Sequence, residues 1–299
     1  MHRPSIGAIY YGSLRRLGIT AVRRRMRPAG PVLCYHNVAG PDECRHGEPG
    51  LHMPRDRFER QVRWLSAHYD VLPLADFVAR ATVRSARRPA AAITFDDGYQ
   101  GVFEHAVPIL RALGLPATVF VVADAPDRWP GFWWDQPGIV ESLTPDRRRR
   151  WLNHLRGDGE AILSEVTPSG NARLPASHHP AGWATIRAQV GNGIDIGMHS
   201  ATHRSLPMLT DAELGHEVLD SRAVLHRATG VWPEFFAYPY GCWDARAGAL
   251  VQRGGYRAAF GLDPGRRSAA ADRWCLGRIN VPGRISDSAF DAWTAGFCH

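Results

Sequence analysis

Short apolar segments rich in β-branched and aromatic residues recur along the chain, and helix-like segments separate most of them. The apolar segments are Val32–Tyr35, Ala91–Phe95, Ala117–Val122, Ile194–Met198, Phe235–Tyr238 and Tyr256–Phe260. The helix-like segments include Arg57–His68, Val102–Leu113, Asp211–Ala228 and Asp244–Arg253. Strands that alternate with helices indicate an α/β fold with a parallel sheet, either a barrel or a doubly wound sheet. In both architectures, functional residues gather at the carboxyl ends of the strands.

The composition excludes several kinds of chemistry. Hydrophobic residues make up 44% and charged residues 22% of the chain, as is typical of a globular protein. The chain has no lysine, which excludes a Schiff-base lysine, a P-loop lysine and a Ser–Lys dyad. The five cysteines are scattered and form no Cys-x-x-Cys pair, which argues against a disulfide framework or a thiolate zinc site.

The positive charge of the chain is concentrated at its N-terminus. Over 299 residues the formal net charge is +7. Residues 1–30 contain no acidic residue but several arginines, namely Arg3, Arg15, Arg16, Arg23, Arg24, Arg25 and Arg27. The remaining residues are formally neutral, because their arginines equal the 29 acidic residues in number. No basic patch extends over the rest of the chain, so we expect no nucleic-acid partner.

The basic N-terminal segment, residues 1–30, also carries a weak apolar stripe at helical spacing. Its members are Ile6, Tyr10, Leu14, Leu17 and Ala21. A basic amphipathic helix can lie on an anionic membrane, whereas the glycines in this segment leave a disordered tail as the alternative. The short apolar stretch Ile6–Tyr11 is followed by arginines and does not resemble a secretory signal. We therefore expect a cytoplasmic protein, with a peripheral contact with an anionic membrane through residues 1–28.

Two of the apolar segments end directly in residues that can hold a metal ion. Asp96 and Asp97 follow one segment, and His199 follows another and precedes His203 by four residues. Neighbouring residues at a strand end point in different directions, so one carboxylate can bind a metal ion while the other faces the bound water. Two imidazoles and a carboxylate are a normal ligand set for catalytic Zn²⁺, and they also admit Co²⁺ or Ni²⁺. An N-cap with a turn is the alternative for the Asp-Asp pair alone.

A third apolar segment, Phe235–Tyr238, leads into the turn Pro239-Tyr240-Gly241. A rigid turn in this place can aim the backbone N–H of Tyr240 at an oxygen that becomes negatively charged during a reaction.

Together, the three motifs resemble those of the polysaccharide deacetylase family, also called the NodB-homology or carbohydrate esterase 4 family. The matching residues are Thr94-Phe-Asp-Asp-Gly98, His199-Ser-Ala-Thr-His203 and Tyr238-Pro-Tyr-Gly241. The resemblance extends over about residues 32–281 and implies a distorted (β/α) barrel of about seven strands. The metal ligands that it implies are Asp97, His199 and His203. It further implies that Asp96 is the general base and that the backbone N–H of Tyr240 helps to hold the oxyanion.

The sequence departs from the family pattern in two ways. Many members have an arginine two residues before the proline of the third motif, where this chain has Ala237, and no clear Leu-x-x-His motif lies near the C-terminus. Both departures are similar to the branch that deacetylates poly-N-acetylglucosamine, which also has an early Tyr-His motif, here Tyr35-His36. The missing arginine would then come from elsewhere. Arg278 is the candidate, with a surface salt bridge as the alternative.

His36 is the candidate general acid. It follows an apolar segment directly, so it should lie on the same face of the barrel as the Asp-Asp and histidine motifs. Its unperturbed pKa of about 6.5 would let it hold a proton and release it near neutral pH. A structural histidine at the barrel rim is the alternative.

Residues 124–183 interrupt the alternation and are interpreted as an insertion at the strand-end face of a catalytic domain spanning residues 31–299. An aromatic cluster opens this insertion and comprises Trp129, Phe132, Trp133 and Trp134. These side chains could stack on sugar rings, but packing onto the barrel is the expected role, since large aromatics dominate cores as well. The run Arg147–Arg150 is interpreted as a solvated helix face.

The sequence thus predicts a metal-dependent hydrolase, with Zn²⁺ as the expected metal, that removes acetyl groups from a polysaccharide or a sugar precursor. An acetylated carbohydrate is the expected partner, and N-acetyl groups are the expected target. Two alternatives remain. One is O-deacetylation or deformylation of a lipid-linked sugar, and the other is a carbohydrate-binding protein that keeps the barrel without catalysis.

Overall fold

The structure is a computed structural model and describes residues 6–27, 29–80, 88–166, 173–264 and 273–298. The strands are β1 (Ala29–Tyr35), β2 (Asn37–Ala39), β3 (His52–Pro54), β4 (Asp70–Val71), β5 (Ala90–Phe95), β6 (Ala117–Val121), β7 (Ile194–Met198), β8 (Phe235–Ala237), β9 (Ala258–Phe260) and β10 (Ile279–Asn280). The α-helices are α1 (Ile6–Arg16), α2 (Ile19–Arg25), α3 (Arg55–His68), α4 (Leu74–Arg80), α5 (Val107–Ala112), α6 (Pro137–Ser142), α7 (Pro145–Asn153), α8 (Gly159–Ser164), α9 (Trp183–Arg187), α10 (Asp211–Gly215), α11 (Ser221–Thr229), α12 (Ala245–Arg253) and α13 (Asp287–Thr294).

Seven strands lie side by side and parallel, in the order β10-β1-β5-β6-β7-β8-β9, and the short β4 pairs with the start of β5. The segment after β9 brings the two ends of this path together. Leu276 bridges to Phe260 of β9, and Ile279 of β10 pairs with Leu33 of β1. The predicted distorted (β/α) barrel of about seven strands is therefore confirmed.

The apolar segments of the sequence became the strands of the sheet, and their alternation separates an interior from an outer layer. In β5, Ala92 packs in a small cluster with Phe120 and Phe260, whereas Ile93 and Phe95 belong to a larger cluster with the helices. Side chains alternate across a strand, so the first cluster fills the barrel and the second lies under its helices. Asp96 continues the row of Ala92, which directs it toward the interior.

Local capping determines where several helices begin. Thr210, Asp244 and Ser286 precede α10, α12 and α13, and each side-chain oxygen accepts a hydrogen bond from the backbone N–H three residues on. A cap of this kind stabilises a helix start by about 1 kcal/mol. Two π-helical turns, Val102–Ala106 and His216–Asp220, extend the neighbouring α-helices, so the helices predicted over 102–113 and 211–228 are close to those observed.

The N-terminal segment folds into the two helices α1 and α2, which pack against α13. Asp291 of α13 accepts a hydrogen bond from Thr20 at 3.0 Å and forms an ion pair with Arg24. The indole N–H of Trp293 donates to the hydroxyl of Tyr11 at 3.1 Å. The described part of this segment is thus a docked helical hairpin rather than a disordered tail, and only its first arginine, Arg3, lies outside the described residues.

Residues 124–183 contain α6, α7 and α8 and lie between β6 and β7. Phe132, Trp133 and Trp134 are buried. The Trp133 ring packs edge-on against that of Trp151 in α7, at a centroid distance of 5.9 Å. The aromatic cluster therefore packs the insertion, as expected, while Trp133 and Trp134 also line a cavity, so stacking on sugar rings stays a prediction. The limits of the insertion and of the N-terminal segment stay predictions.

Candidate active site

Three side chains from two strand ends meet in one small buried cluster. Asp97 comes from the end of β5, and His199 and His203 come from the loop after β7. The Oδ1 atom of Asp97 lies 3.5 Å from Nε2 of His199 and 3.4 Å from Nε2 of His203. One possible ligand atom from each of the three residues lies within 4.8 Å of those of the other two. The tertiary structure therefore brings together the three residues that the resemblance names as metal ligands.

The backbone around this cluster adopts an unusual conformation. Asp97, Ser200, His203 and Tyr240 have φ angles of 70°, 65°, 59° and 58°. Residues other than glycine rarely enter this left-handed region, which costs about 1–3 kcal/mol each. At Asp97 the positive φ redirects a side chain that strand alternation would point away from Asp96. Strain of this kind concentrates at sites where geometry is imposed by function.

The two imidazoles present one nitrogen each to the cluster. The ring N–H at Nδ1 of His199 donates to the carbonyl oxygen of Ala237 at 2.8 Å, which leaves Nε2 to face Asp97. Burial lowers the pKa of His199, and burial together with the neighbouring His199 lowers that of His203 far below its usual value. Both rings are therefore neutral at pH 7, which is the form in which imidazole binds metal ions.

Asp97 has the properties of a carboxylate that needs a cation. Its Oδ1 atom is buried and has no hydrogen-bond partner among the described residues. Burial and the charge of Asp96 raise its pKa well above the usual range. A buried carboxylate oxygen without a donor is costly unless a positive charge compensates it. The donor set of one carboxylate oxygen and two imidazole nitrogens fits Zn²⁺ or a similar divalent metal.

Asp96 is held by a buried arginine from the segment directly before β10. Nη1 and Nη2 of Arg278 donate to the two carboxylate oxygens at 2.6 and 2.7 Å. The thiol of Cys34 lies 3.2 Å from Oδ2 of Asp96 and donates to it. Burial alone would raise the pKa of Asp96, but Arg278 outweighs it and holds the pKa far below the usual range. Asp96 is therefore ionised at neutral pH.

The remaining predicted residues also lie at this site. His36 lies beside Asp96 and Cys34. One side-chain N, O or S atom from each of the three residues lies within 4.8 Å of those of the other two. The Nδ1 atom of His36 is buried and has no hydrogen-bond partner in the part of the chain that the structure describes. Burial lowers the pKa of His36 to about 4. The ring of Tyr240 packs edge-on against that of His203 at 4.5 Å.

A cavity of about 90 Å³ opens above the cluster. Its floor is formed by the residues just described, and its walls come largely from the insertion, through Trp133, Ile139, Leu143 and Leu152. Arg148 also lines this cavity and pairs with Glu48 at 2.9 Å. Arg147–Arg150 are all exposed, as the interpretation of this run as a solvated helix face predicts. Arg148 lines the cavity in addition, because the insertion folds over the strand ends.

A buried polar network that no sequence motif indicates lies beside the site. The fully buried Asp135 accepts hydrogen bonds from the hydroxyl of Tyr99 at 2.7 Å and the backbone N–H of Glu48 at 2.9 Å. It also contacts Nε2 of His52 at 2.9 Å. Three polar partners compensate the burial of one carboxylate. These residues are far apart in the sequence, so no local pattern could reveal them.

This network reaches a proposed metal ligand through Trp134. The indole N–H of Trp134 donates to the Tyr99 hydroxyl at 2.7 Å, and its ring lies 4.5 Å from that of His203. Tyr99 directly follows the motif that contains Asp96 and Asp97. The one available signal was therefore the position of Tyr99 next to the Asp-Asp-Gly turn.

A barrel with a buried cluster of carboxylates and imidazoles at its strand ends, beneath a cavity, has the architecture of a barrel enzyme. The family model described as polysaccharide deacetylase matches residues 84–259. The chain belongs to the polysaccharide deacetylase family, which supports an enzyme that deacetylates carbohydrate. A Bacillus subtilis (strain 168) protein named for this family, YxkH, is 21% identical over 265 residues, which cover 88% of this chain and 75% of that protein.

Two solved structures illustrate the similarity of the fold. The deacetylase PplD of Streptococcus pyogenes, solved in complex with acetate, superposes with a TM-score of 0.62 at 18% identity. IcaB of Ammonifex degensii gives the same TM-score and identity. Each comparison covers 90% of this chain and 99% of the other.

Proposed function

We propose that this chain is a metal-dependent hydrolase that removes N-acetyl groups from a polysaccharide or a sugar precursor. The observation that carries the proposal is the cluster of Asp97, His199 and His203, with an ionised Asp96 beside it, at the floor of a cavity. Nε2 of His199 lies 3.8 Å from Oδ2 of Asp96, so the carboxylate borders the proposed metal position. Membership of the polysaccharide deacetylase family supports carbohydrate as the substrate class.

In the proposed mechanism, Asp96 accepts a proton from the attacking water. A divalent metal held by Asp97, His199 and His203 would polarise the acetyl carbonyl and lower the pKa of the water. Arg278 keeps Asp96 ionised and fixes the orientation of its carboxylate. The turn at Tyr240 lies beside the cluster, and its backbone N–H would donate to the oxyanion.

Amide hydrolysis also requires a proton for the leaving amine. His36 is the proposed donor because it lies beside Asp96 in the cavity. With a pKa of about 4, His36 is neutral at pH 7 in the resting protein. It would therefore take up its proton during turnover, by relay from Asp96, and pass it to the amine as a strong acid.

The acyl group and the carrier of the sugar define the alternatives to N-deacetylation of a polymer. O-deacetylation or deformylation of a lipid-linked sugar would use the same residues. The aliphatic wall formed by Ile139, Leu143 and Leu152 is compatible with an apolar part of the substrate. The poly-N-acetylglucosamine branch, the expected Zn²⁺ and the cytoplasmic location also stay predictions. No helix among the described residues is long and apolar enough to cross a membrane.

Acetate release is the measurement that tests the proposal. Metal-loaded protein is incubated with a panel of N- and O-acetylated glycans and lipid-linked amino sugars, and formate is measured in parallel. We expect acetate from N-acetylated substrates. We also expect Asp96→Asn to lower the rate by about 10²–10⁴-fold while metal stays bound, because an amide cannot take the proton. If the protein binds glycans but releases neither acid under any metal, the carbohydrate-binding alternative is correct.

A further inference from the structure

We propose that the outer side of α1 and α2 is a docking surface for an anionic membrane. The inner side of the two helices is fixed to the barrel. Arg24 and Thr20 bind Asp291, and Arg27 donates to the carbonyl oxygen of Ala295 at 3.3 Å. The guanidinium of Arg23 lies 4.7 Å from the centre of the Phe297 ring. The helices therefore form a docked platform, and the proposal is independent of the proposed catalytic function.

The outer side of this platform is apolar to an extent that the rest of the described surface is not. Its exposed large side chains are Ile9, Tyr10, Leu17, Ile19, Val22 and Met26. Leu17, Val22 and Met26 are 74%, 60% and 77% exposed. Elsewhere in the described residues the comparable side chains are single and scattered, namely Leu163, Met208, Leu219 and Trp232. Exposed apolar side chains concentrated on one pair of short helices mark a candidate interaction site.

The charges on the platform identify the partner as anionic. Arg16 and Arg25 are exposed, and residues 1–30 contain no acidic residue. Asp291, which pairs with Arg24 and lies 3.9 Å from Arg15, is a buried carboxylate of α13. Apolar side chains flanked by arginines suit the boundary between headgroups and acyl chains of an anionic bilayer.

The same charges and apolar side chains argue against two other binding partners, a second copy of this chain and a nucleic acid. A second copy of this chain, docked by the same surface, would bring two basic surfaces together and gain no opposite charge. A nucleic acid would satisfy the arginines but would leave Leu17, Val22 and Met26 exposed to water. Only a lipid surface satisfies both the apolar and the basic groups.

Vesicle co-sedimentation of the full-length protein tests the proposal. The vesicles contain either phosphatidylcholine alone or phosphatidylcholine with added phosphatidylglycerol. We expect binding to the anionic vesicles only. Replacing Arg16 and Arg25 by glutamine should weaken binding about five-fold per arginine, since each basic residue near such a surface contributes a factor of this size. The double variant Leu17→Gln/Val22→Gln should lose binding as well. Any binding that the parent protein keeps in high salt should be absent in this variant.

Matched variants on other surfaces serve as controls. Arg60→Gln/Arg63→Gln removes two exposed charges from α3, and Leu163→Gln removes an exposed leucine from α8. Both should bind as the parent does, and all variants are checked for unchanged thermal unfolding. Equal loss in the α3 variant would show that net charge and not this surface is responsible. The absence of binding to anionic vesicles, or a vesicle-independent dimer that Leu17→Gln/Val22→Gln dissociates, would overturn the proposal.

Discussion

Arg278 holds the carboxylate of Asp96 at both of its oxygens, at 2.6 and 2.7 Å, and the two side chains are buried together inside the barrel. The two residues are 182 positions apart in the sequence. Arg278 also donates to Thr94 at 3.2 Å and to the carbonyl oxygen of Gly261 at 3.2 Å. It thereby links the first motif to the segment that closes the barrel. That Arg278 replaces the arginine that the family pattern has where this chain has Ala237 stays a proposal.

Arg278→Met should destabilise the protein by about 3–5 kcal/mol, because it leaves a buried carboxylate without its partner. Arg278→Lys keeps the charge but loses the planar fork. We expect it to fold and to lose about 10²-fold in kcat, since a misplaced base is a poor base. The control is Arg222→Lys, because Arg222 binds the carbonyl oxygens of Gly254 and Gly255 far from the site. Equal kcat for parent and Arg278→Lys would mean that the arginine does not position Asp96.

His199→Ala and His203→Ala should each lose most of the bound metal, as measured by elemental analysis of the purified protein. Removing one imidazole from a three-residue site leaves too few ligands to hold a divalent ion. Chelation should abolish activity in the parent, and Zn²⁺ or Co²⁺ should restore it. His226→Ala, which removes a histidine stacked on Trp232 at the surface, should keep its metal. Parental metal content in both site variants would refute the proposed ligands.

His36→Ala should retain metal and lose most amide hydrolysis. Activated aryl acetates should be affected much less, because their leaving group departs without a proton. The comparison of the two substrates separates a proton donor from a residue that merely positions others. A loss of the same size on both substrates would assign His36 to positioning or folding.

Tyr99→Phe tests the buried network beside the site. The change removes one donor from Asp135 and leaves the indole N–H of Trp134 without its acceptor. We expect a loss of about 1–3 kcal/mol in the free energy of unfolding. We also expect a lower kcat/KM, because Trp134 packs on His203. Tyr256→Phe removes a comparable buried hydrogen bond, to the carbonyl oxygen of Val218. This control variant should lower the free energy of unfolding but keep the kcat/KM of the parent protein. If both variants changed kcat/KM alike, the network would have no specific role.

Metal-free protein should lose stability as the pH falls from about 7 toward 4. Burial lowers the pKa of His178 to about 4, while in the unfolded chain it is about 6.5. Between these values the unfolded state binds a proton that the folded state does not, so acid favours unfolding, by at most about 3 kcal/mol for this residue. Denaturant unfolding at several pH values should show a smaller pH dependence for His178→Gln. The exposed His216→Gln serves as the control, and an unchanged slope in His178→Gln would contradict the assignment.

Much of this protein could be predicted from local patterns. The runs before Asp96 and before His199 are apolar and β-branched, and burial on both faces makes such runs strands of a parallel sheet. Because parallel strands end at the same edge of the sheet, the sequence alone predicts that the Asp-Asp and histidine motifs lie close together. The short strand β10, with two residues, carries no periodic signal and was not predicted.

Other features depended on the tertiary structure alone. The contact between Arg278 and Asp96 was a hypothesis drawn from resemblance, and only the closure of the barrel by residues 276–280 brings the two side chains together. The position of Arg148 over the cavity, and the network around Asp135, follow from how the insertion folds back over the strand ends. Buried polar groups that water cannot reach need hydrogen-bond partners within the protein, and here those partners are distant in the sequence. That requirement acts on the whole fold, so a local reading of residue types could not specify which partners meet.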